Sequence, residues 1–190
     1  SVVPETITAR QLKLRVAGLA LARGDWPLAS RAFACAAAAA DDPELAERAT
    51  RVAFENAQLQ DAVGSATRWL ALQPDREEAR RFLATSLLRL YRNDAAAEQF
   101  RAILDSAYSD RARGYTALLG ILAGERNETG AALVMDALAA ADPELPEAQH
   151  ARSVLWQQAE HGQRALEAAR RALELRPGWR LAELAEVRAL

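Results

Sequence analysis

Arg10 to Pro74 reads RQLKLRVAGLALARGDWPLASRAFACAAAAADDPELAERATRVAFENAQLQDAVGSATRWLALQP, one pattern stated twice. An apolar-striped segment, Leu12 to Ala22, is stopped by Arg23-Gly24-Asp25, and a second segment sets Ala29, Phe33 and Ala36 on one helical face. Asp42-Pro43-Glu44 restarts the pattern, and Ala62, Ala66 and Trp69 return at matching offsets before Pro74. Further along, Ala96, Ala131 and Ala165 continue the series begun by Ala29 and Ala62, in steps of 33, 34, 35 and 34 residues. Units of about 34 residues, each long enough for two short helices and a turn, mark an all-α fold of stacked helix-turn-helix hairpins.

The remaining chain is read from this frame. Residues 1–9 form a lead-in, with Ser1 to Glu5 frayed around Pro4. Five units follow at about 10–42, 43–76, 77–110, 111–145 and 146–177, and 178–190 reads as the first helix of a further, truncated unit. Leu12, Val16, Leu19 and Ala20 are expected to face inward from the first helix. Asp25, Asp42 and Asp61 are expected N-caps, Pro43 stands at a first helical position, and Asp75 with Glu78 fits a capping box. Asn93-Asp94 is expected to make a turn, and the turn near Asn127 is one or two residues longer than its counterparts. Leu181, Leu184 and Val187 would leave an apolar stripe uncovered, and the chain is expected to be a fragment of a longer array.

Composition narrows the function classes. Of the 190 residues 51% are apolar but only 6% aromatic, so alanine carries much of the packing and allows close helix approach. With 24 basic and 26 acidic residues the formal charge is −2, which offers no bulk field for nucleic acid or anionic lipid. Arg48, Arg51, Arg80, Arg81 and Arg89 are diluted by acidic neighbours, and stacking aromatics are few, so no nucleic-acid partner is expected. The longest low-polarity run, Ala32 to Ala40, is too short to cross a bilayer. Cys35, the one cysteine, is read as packing filler. Gly120 and Gly124 are read as a close helix approach and a C-cap. Asn127-Glu128-Thr129 fits a glycosylation acceptor, but so short a pattern recurs by chance and is discounted.

No catalytic or metal-ligating constellation stands out. His150 and His161 lack H-E-x-x-H spacing, Cys35 lies in a different unit, and no phosphate loop is present, so neither catalysis, a cofactor nor a metal is expected. Binding is the remaining class. Projected at 3.6 residues per turn, Glu47, Arg51, Phe54 and Glu55 share one side of a first helix. Arg81, Thr85 and Arg89 fall at comparable places one unit later, and His150 and Gln157 two units after that. Arginine beside an aromatic suits carboxylates and peptide carbonyls, because its planar fork bonds bidentately and stacks. The competing reading is a solvated face laced with i,i+4 pairs such as Glu47–Arg51.

The unit resembles the tetratricopeptide repeat, through Ala29-Phe33-Ala36, Ala62-Ala66-Trp69-Pro74, Ala96-Phe100-Ile103, Ala131-Met135-Leu138-Pro143 and Ala165-Ala169-Ala172-Pro177. The resemblance implies a right-handed superhelical solenoid whose first helices line a concave face that binds a protein or peptide partner. The first helices depart from the family's pattern, with Thr50, for example, in place of the small residue. The chaperone-binding members use lysine and asparagine there, and Lys13 is the single lysine here, so that role is disfavoured.

Residues 12–90 more narrowly resemble the N-terminal part of proteobacterial tetratricopeptide lipoproteins, through Arg23-Gly24-Asp25, the run from Asp42 to Thr50, Trp69-Leu70 and Pro74. That resemblance implies a periplasmic or outer-membrane-tethered adaptor presenting clients, cell-wall hydrolases among them, to a C-terminal-processing protease. The alternative is a self-associating structural module that uses the C-terminal stripe.

Overall fold

The structure, a computed structural model, describes residues 7–190, so the frayed lead-in expected at Ser1 to Glu5 lies outside the described residues. Eleven α-helices and no strand occur among them: α1 (Ala9–Ala22), α2 (Trp26–Ala38), α3 (Pro43–Glu55), α4 (Leu59–Leu72), α5 (Glu77–Arg89), α6 (Asn93–Ala107), α7 (Arg111–Leu122), α8 (Glu128–Ala139), α9 (Pro146–Gln158), α10 (Gly162–Leu175) and α11 (Arg180–Ala189). The chain forms two compact units, up to Ser86 and from Leu87, and α5 runs through the boundary.

In the first unit α1 packs on α2 and α3 on α4, and α2 also lies against α3 and α4, so hairpin stacks on hairpin. Side-chain caps start several helices. Thr8 and Gln11 form a capping box at α1, while Asp25 accepts from Leu28 N at 3.1 Å and Asp42 from Leu45 N at 3.0 Å. The interior is built from Ala29, Phe33, Ala36, Ala62, Ala66 and Trp69, the residues of the repeating pattern. Trp69 is fully buried, its indole N–H donating to Gln73 at 2.9 Å.

In the second unit α7 packs on α8 and α9 on α10, with α8 against α6 and α9, and α11 against α9 and α10. Ala96, Phe100, Ile103, Ala131, Met135, Leu138, Ala165, Ala169 and Ala172 are all buried, so the second-helix pattern holds here as well. Asp110 and Asn127 cap α7 and α8.

Several expectations are corrected. Leu12 and Leu19 point outward from α1, and the residues buried against α2 are Ala17 and Ala20. Small side chains let the two helices close up, and a leucine at those positions would hold them apart. Cys35 is exposed rather than packed. Asp61 lies in the first turn of α4, whose N-cap is Gln58, and Asn93 is the first residue of α6 rather than part of a turn. Helix α5 begins at Glu77, and the Glu78 carboxylate bonds Arg51. A side chain at Gly120 would meet open space, and Gly124 lacks a left-handed φ. The close approach is at Gly114, where a Cβ would lie 3.1 Å from Tyr108 Cβ and overlap the Leu104 side chain.

Four of the hairpin turns take three residues and share one backbone form. Gly24, Ala57, Tyr91 and Glu160 have φ of 71°, 57°, 59° and 59°, and the next residue's N–H reaches back to Ala20, Ala53, Leu87 and Trp156 at 2.8–2.9 Å. This is a Schellman closure, with a left-handed residue just past the helix and a six-to-one hydrogen bond. The fifth turn, residues 123–127, is two residues longer.

Candidate functional site

In the first unit the face carried by α3 is organised around Arg51. Its guanidinium bonds Glu47 through Nε and Nη2, at 3.1 and 2.9 Å, and Glu78 through Nη2 at 2.6 Å. It also lies 5.5 Å from the centre of the Phe82 ring, whose other neighbours are Phe54, edge-on at 5.0 Å, and Trp69 at 6.3 Å. The hydrogen bonds to Glu47 and Glu78 raise the arginine's pKa above its ordinary value. Arg51 therefore clips α3 to α5, and the Glu47–Arg51 pair of the competing reading is present. Thr85 is only 8% exposed and belongs to the interior. Glu55 and Arg81 are exposed and take no part in an ion pair among the described residues.

The second unit holds the other expected binding residues, dispersed. Arg89 bonds Glu125 bidentately, Nε to Oε2 at 2.8 Å and Nη2 to Oε1 at 3.0 Å, which raises the arginine's pKa. His150 packs 5.0 Å from the Trp179 ring. Burial pushes its pKa down, against the opposing pull of the Glu147 carboxylate and of a hydrogen bond with the Leu181 backbone. Gln157 donates to the Arg188 carbonyl at 3.1 Å. Both side chains thus hold α11 in place and are not gathered into a site with Arg89.

Two polar knots escaped the sequence reading. Tyr115, fully buried, has its hydroxyl 2.6 Å from Asp142 and 2.8 Å from the Leu138 carbonyl, and Arg111 bonds the same carboxylate. Burial raises the Tyr115 pKa. Burial also works against ionised Asp142, but the hydrogen bonds from Arg111 and Tyr115 outweigh it and hold the carboxyl below its ordinary range. Asp136 accepts from Arg152 at 2.6 Å and from the Trp156 indole at 3.0 Å. Asp142 ties α7 to the chain just past α8 within one hairpin, and Asp136 ties α8 to α9, the first helix of the next hairpin. Their arginine partners stand 31 and 16 residues away in sequence, outside the reach of a local pattern.

A concavity with mixed chemistry lies beside the long turn. A cavity of about 510 Å³ is lined by Arg89, Tyr91, Gly124, Glu125, Arg126 and Asn127. Asn127 builds its floor. Its amide donates to the Leu88 carbonyl at 2.8 Å and to Asn93 at 3.1 Å, and its oxygen caps α8 by accepting from Gly130 N at 3.0 Å. A buried amide spent in this way is not an open glycan acceptor, in keeping with the discounting of Asn127-Glu128-Thr129. Tyr91 is 75% exposed at the rim. Arg126 is also exposed, and it is without an ion pair among the described residues. A longer turn was legible in the sequence; that it faces an exposed tyrosine was not. Among the described residues no group of three or more His, Cys, Asp or Glu is placed to hold a metal, and no helix is long and apolar enough to cross a membrane.

No protein-family model matches the chain, and no curated protein matches it. Solved structures with a similar arrangement include a MamA protein, at 16% identity over 87% of this chain and 91% of that one, with a TM-score of 0.47. MamA 41-end from Desulfovibrio magneticus RS-1 is 20% identical over 92% of this chain and 99% of that one, with a TM-score of 0.45. YrrB, described as a TPR protein with an unusual peptide-binding site, is 17% identical over 96% of this chain and 100% of that one, also at 0.45. At these identities and scores the likeness transfers no ligand, partner or compartment to this chain.

Proposed function

We propose that the chain is a non-catalytic scaffold that holds a protein or peptide segment against the first-helix side of its hairpins. The observation that supports this is the exposed, unpaired charge that the first helices of the first unit carry. The repeated second-helix positions are consumed in the interior, while exposed charge without an internal partner, Glu55 and Arg81, sits on first helices. Holding two partners close raises the rate of their encounter through effective concentration, without chemistry by the scaffold.

The finer form of the proposal is an adaptor in the envelope of a Gram-negative bacterium, bringing clients to a C-terminal-processing protease. The resemblance of residues 12–90 supports it. The test is to tag the full-length protein in its source organism, crosslink, and identify what co-purifies, beside a Glu55→Arg/Arg81→Glu variant. Recovery of a processing protease with wall hydrolases, at least one of them lost in the variant, is the expected result. Equal recovery with the variant would keep the adaptor and remove this face from it. If neither protease nor hydrolase is recovered, the envelope reading is wrong.

A second reading, self-association, is favoured by one observation: Leu181, Leu184 and Val187 on α11 are 54%, 52% and 67% exposed. It predicts a mass that rises with concentration in light scattering.

A further inference from the structure

The cavity beside the long turn brings three features together. The first is an aromatic ring offered to solvent. Tyr91 occupies the left-handed position of a Schellman closure, where Gly24 serves in the first hairpin and Ala57 in the second. Closure needs no side chain there, so the ring contributes nothing to the turn and lies 75% exposed. The second is an arginine without an internal partner. In the same lining Arg89 and Glu125 neutralise each other through a bidentate pair, which leaves Arg126 as the net charge of the cavity. The third is a rigid floor, because Asn127 is fixed by bonds to Leu88, Asn93 and Gly130. The volume of about 510 Å³ is that of a pocket for one or two side chains.

We infer that this turn-edge cavity is a binding site for an acidic peptide segment with an aromatic residue beside its carboxylate. The peptide ring stacks on Tyr91, and the carboxylate is gripped by the Arg126 fork. The Arg89–Glu125 pair forms a neutral wall that keeps Glu125 from competing for Arg126. The inference rests on the scaffold reading but places recognition at the edge of the hairpins rather than on the faces of the first helices. It follows from the two extra residues of the turn, since the three-residue turns close on themselves.

The test is to pan a random-peptide display library against the whole chain and against three variants: Tyr91→Ala, Arg126→Glu, and the face variant Glu55→Arg/Arg81→Glu. All altered residues are exposed, and matching thermal melts establish that each variant is folded. The wild-type chain is expected to enrich peptides with Phe, Tyr or Trp next to Asp or Glu. Binding of the leading synthetic peptide should fall roughly tenfold or more in Tyr91→Ala and in Arg126→Glu, and stay unchanged in the face variant. Preserving the free carboxylate but amidating the peptide C-terminus separates a side-chain acid from a terminal one. A motif lost only in the face variant would overturn the cavity and leave the scaffold standing. Enrichment of no peptide by the wild-type chain would overturn both.

Discussion

The turn at 56–58 and the turn at 123–127 both return the chain from a first helix to a second, and they close by different means. The shorter one closes through backbone, Ala57 N–H bonding Phe54 O at 3.1 Å and Gln58 N–H bonding Ala53 O at 2.8 Å. Its side-chain bonds, from Asn56 to the Val52 carbonyl and from Gln58 to the Asn56 carbonyl, stay within the turn and the helix before it. The longer one leaves a gap that a buried side chain must span, and Asn127 does so with three hydrogen bonds. Backbone closure is local and tolerant of sequence. Side-chain closure is neither, but it opens a cavity.

The comparison breaks most decisively at Asn127. Asn127→Ala removes a helix cap and one of the two hydrogen bonds that the Leu88 carbonyl accepts, the other coming from Tyr91 N–H, and is expected to lower the unfolding free energy by about 2 kcal/mol in urea titration. Gln58→Ala, at the matching place in the short turn, removes no helix cap and only the bond from its amide to the Asn56 carbonyl, and should cost well under half as much. If the two variants were equally stable, side-chain closure of the long turn would be refuted. A smaller effect is expected at Gly130. A Cβ there would lie 2.5 Å from Asn127 Cγ and 2.6 Å from Asn93 Oδ1, so Gly130→Ala should cost about 2 kcal/mol by overpacking. Gly64, inside α4 with nothing near its absent Cβ, should instead gain about 1 kcal/mol as Gly64→Ala. The opposite signs, read from thermal melts, separate a glycine required by packing from one that is not.

The smallest effect sharpens the other side of the comparison. Ala57→Gly relieves a left-handed φ of 57° and should gain about 0.5 kcal/mol after the entropy of the unfolded chain is set against it. Tyr91→Gly should do the same for the melt while abolishing peptide binding, which would separate closure from recognition at a single position.

The fold was legible where a physical requirement recurs. Ala29, Ala62, Ala96, Ala131 and Ala165 are each fully buried because two helices meet there and only a methyl fits. In α1 the expected Ala20 is buried, but Leu12 and Leu19 were weighed by hydrophobicity and Ala17 was missed beside it. In a chain packed through alanine, size rather than hydrophobicity decides which residue goes inside. The start of α4 was read three residues late, at Asp61 rather than Gln58, and the turn read at Asn93-Asp94 is already the first turn of α6. The residues before α4 and α6, Gln58 and Arg92, make no side-chain cap bond, and Ala57, Tyr91 and Glu160 do not announce a left-handed turn as glycine does.

The site was less legible because its partners are distant in sequence. Arg51 reads as a free fork until Glu78, 27 residues on, takes it up. Arg89 reads likewise until Glu125 does, 36 residues on. His150 and Gln157 fall on the expected helix face, yet α11 occupies that part of it. What remained unspent, Tyr91 and Arg126, lay in turns, where periodicity carries no signal.

The left-handed turn residues have a consequence for how such a chain changes over generations. Gly24, Ala57, Tyr91 and Glu160 all stand in solvent, and the closure beneath each is made by main-chain atoms common to every amino acid. A codon change at one of them alters what the hairpin displays at little thermodynamic risk, whereas a change at the buried alanine five residues on is purged by the packing. Novelty in recognition can therefore accumulate at the turns while the interior stands still, and a directed-evolution library confined to these four positions would sample new ligands with few unfolded members.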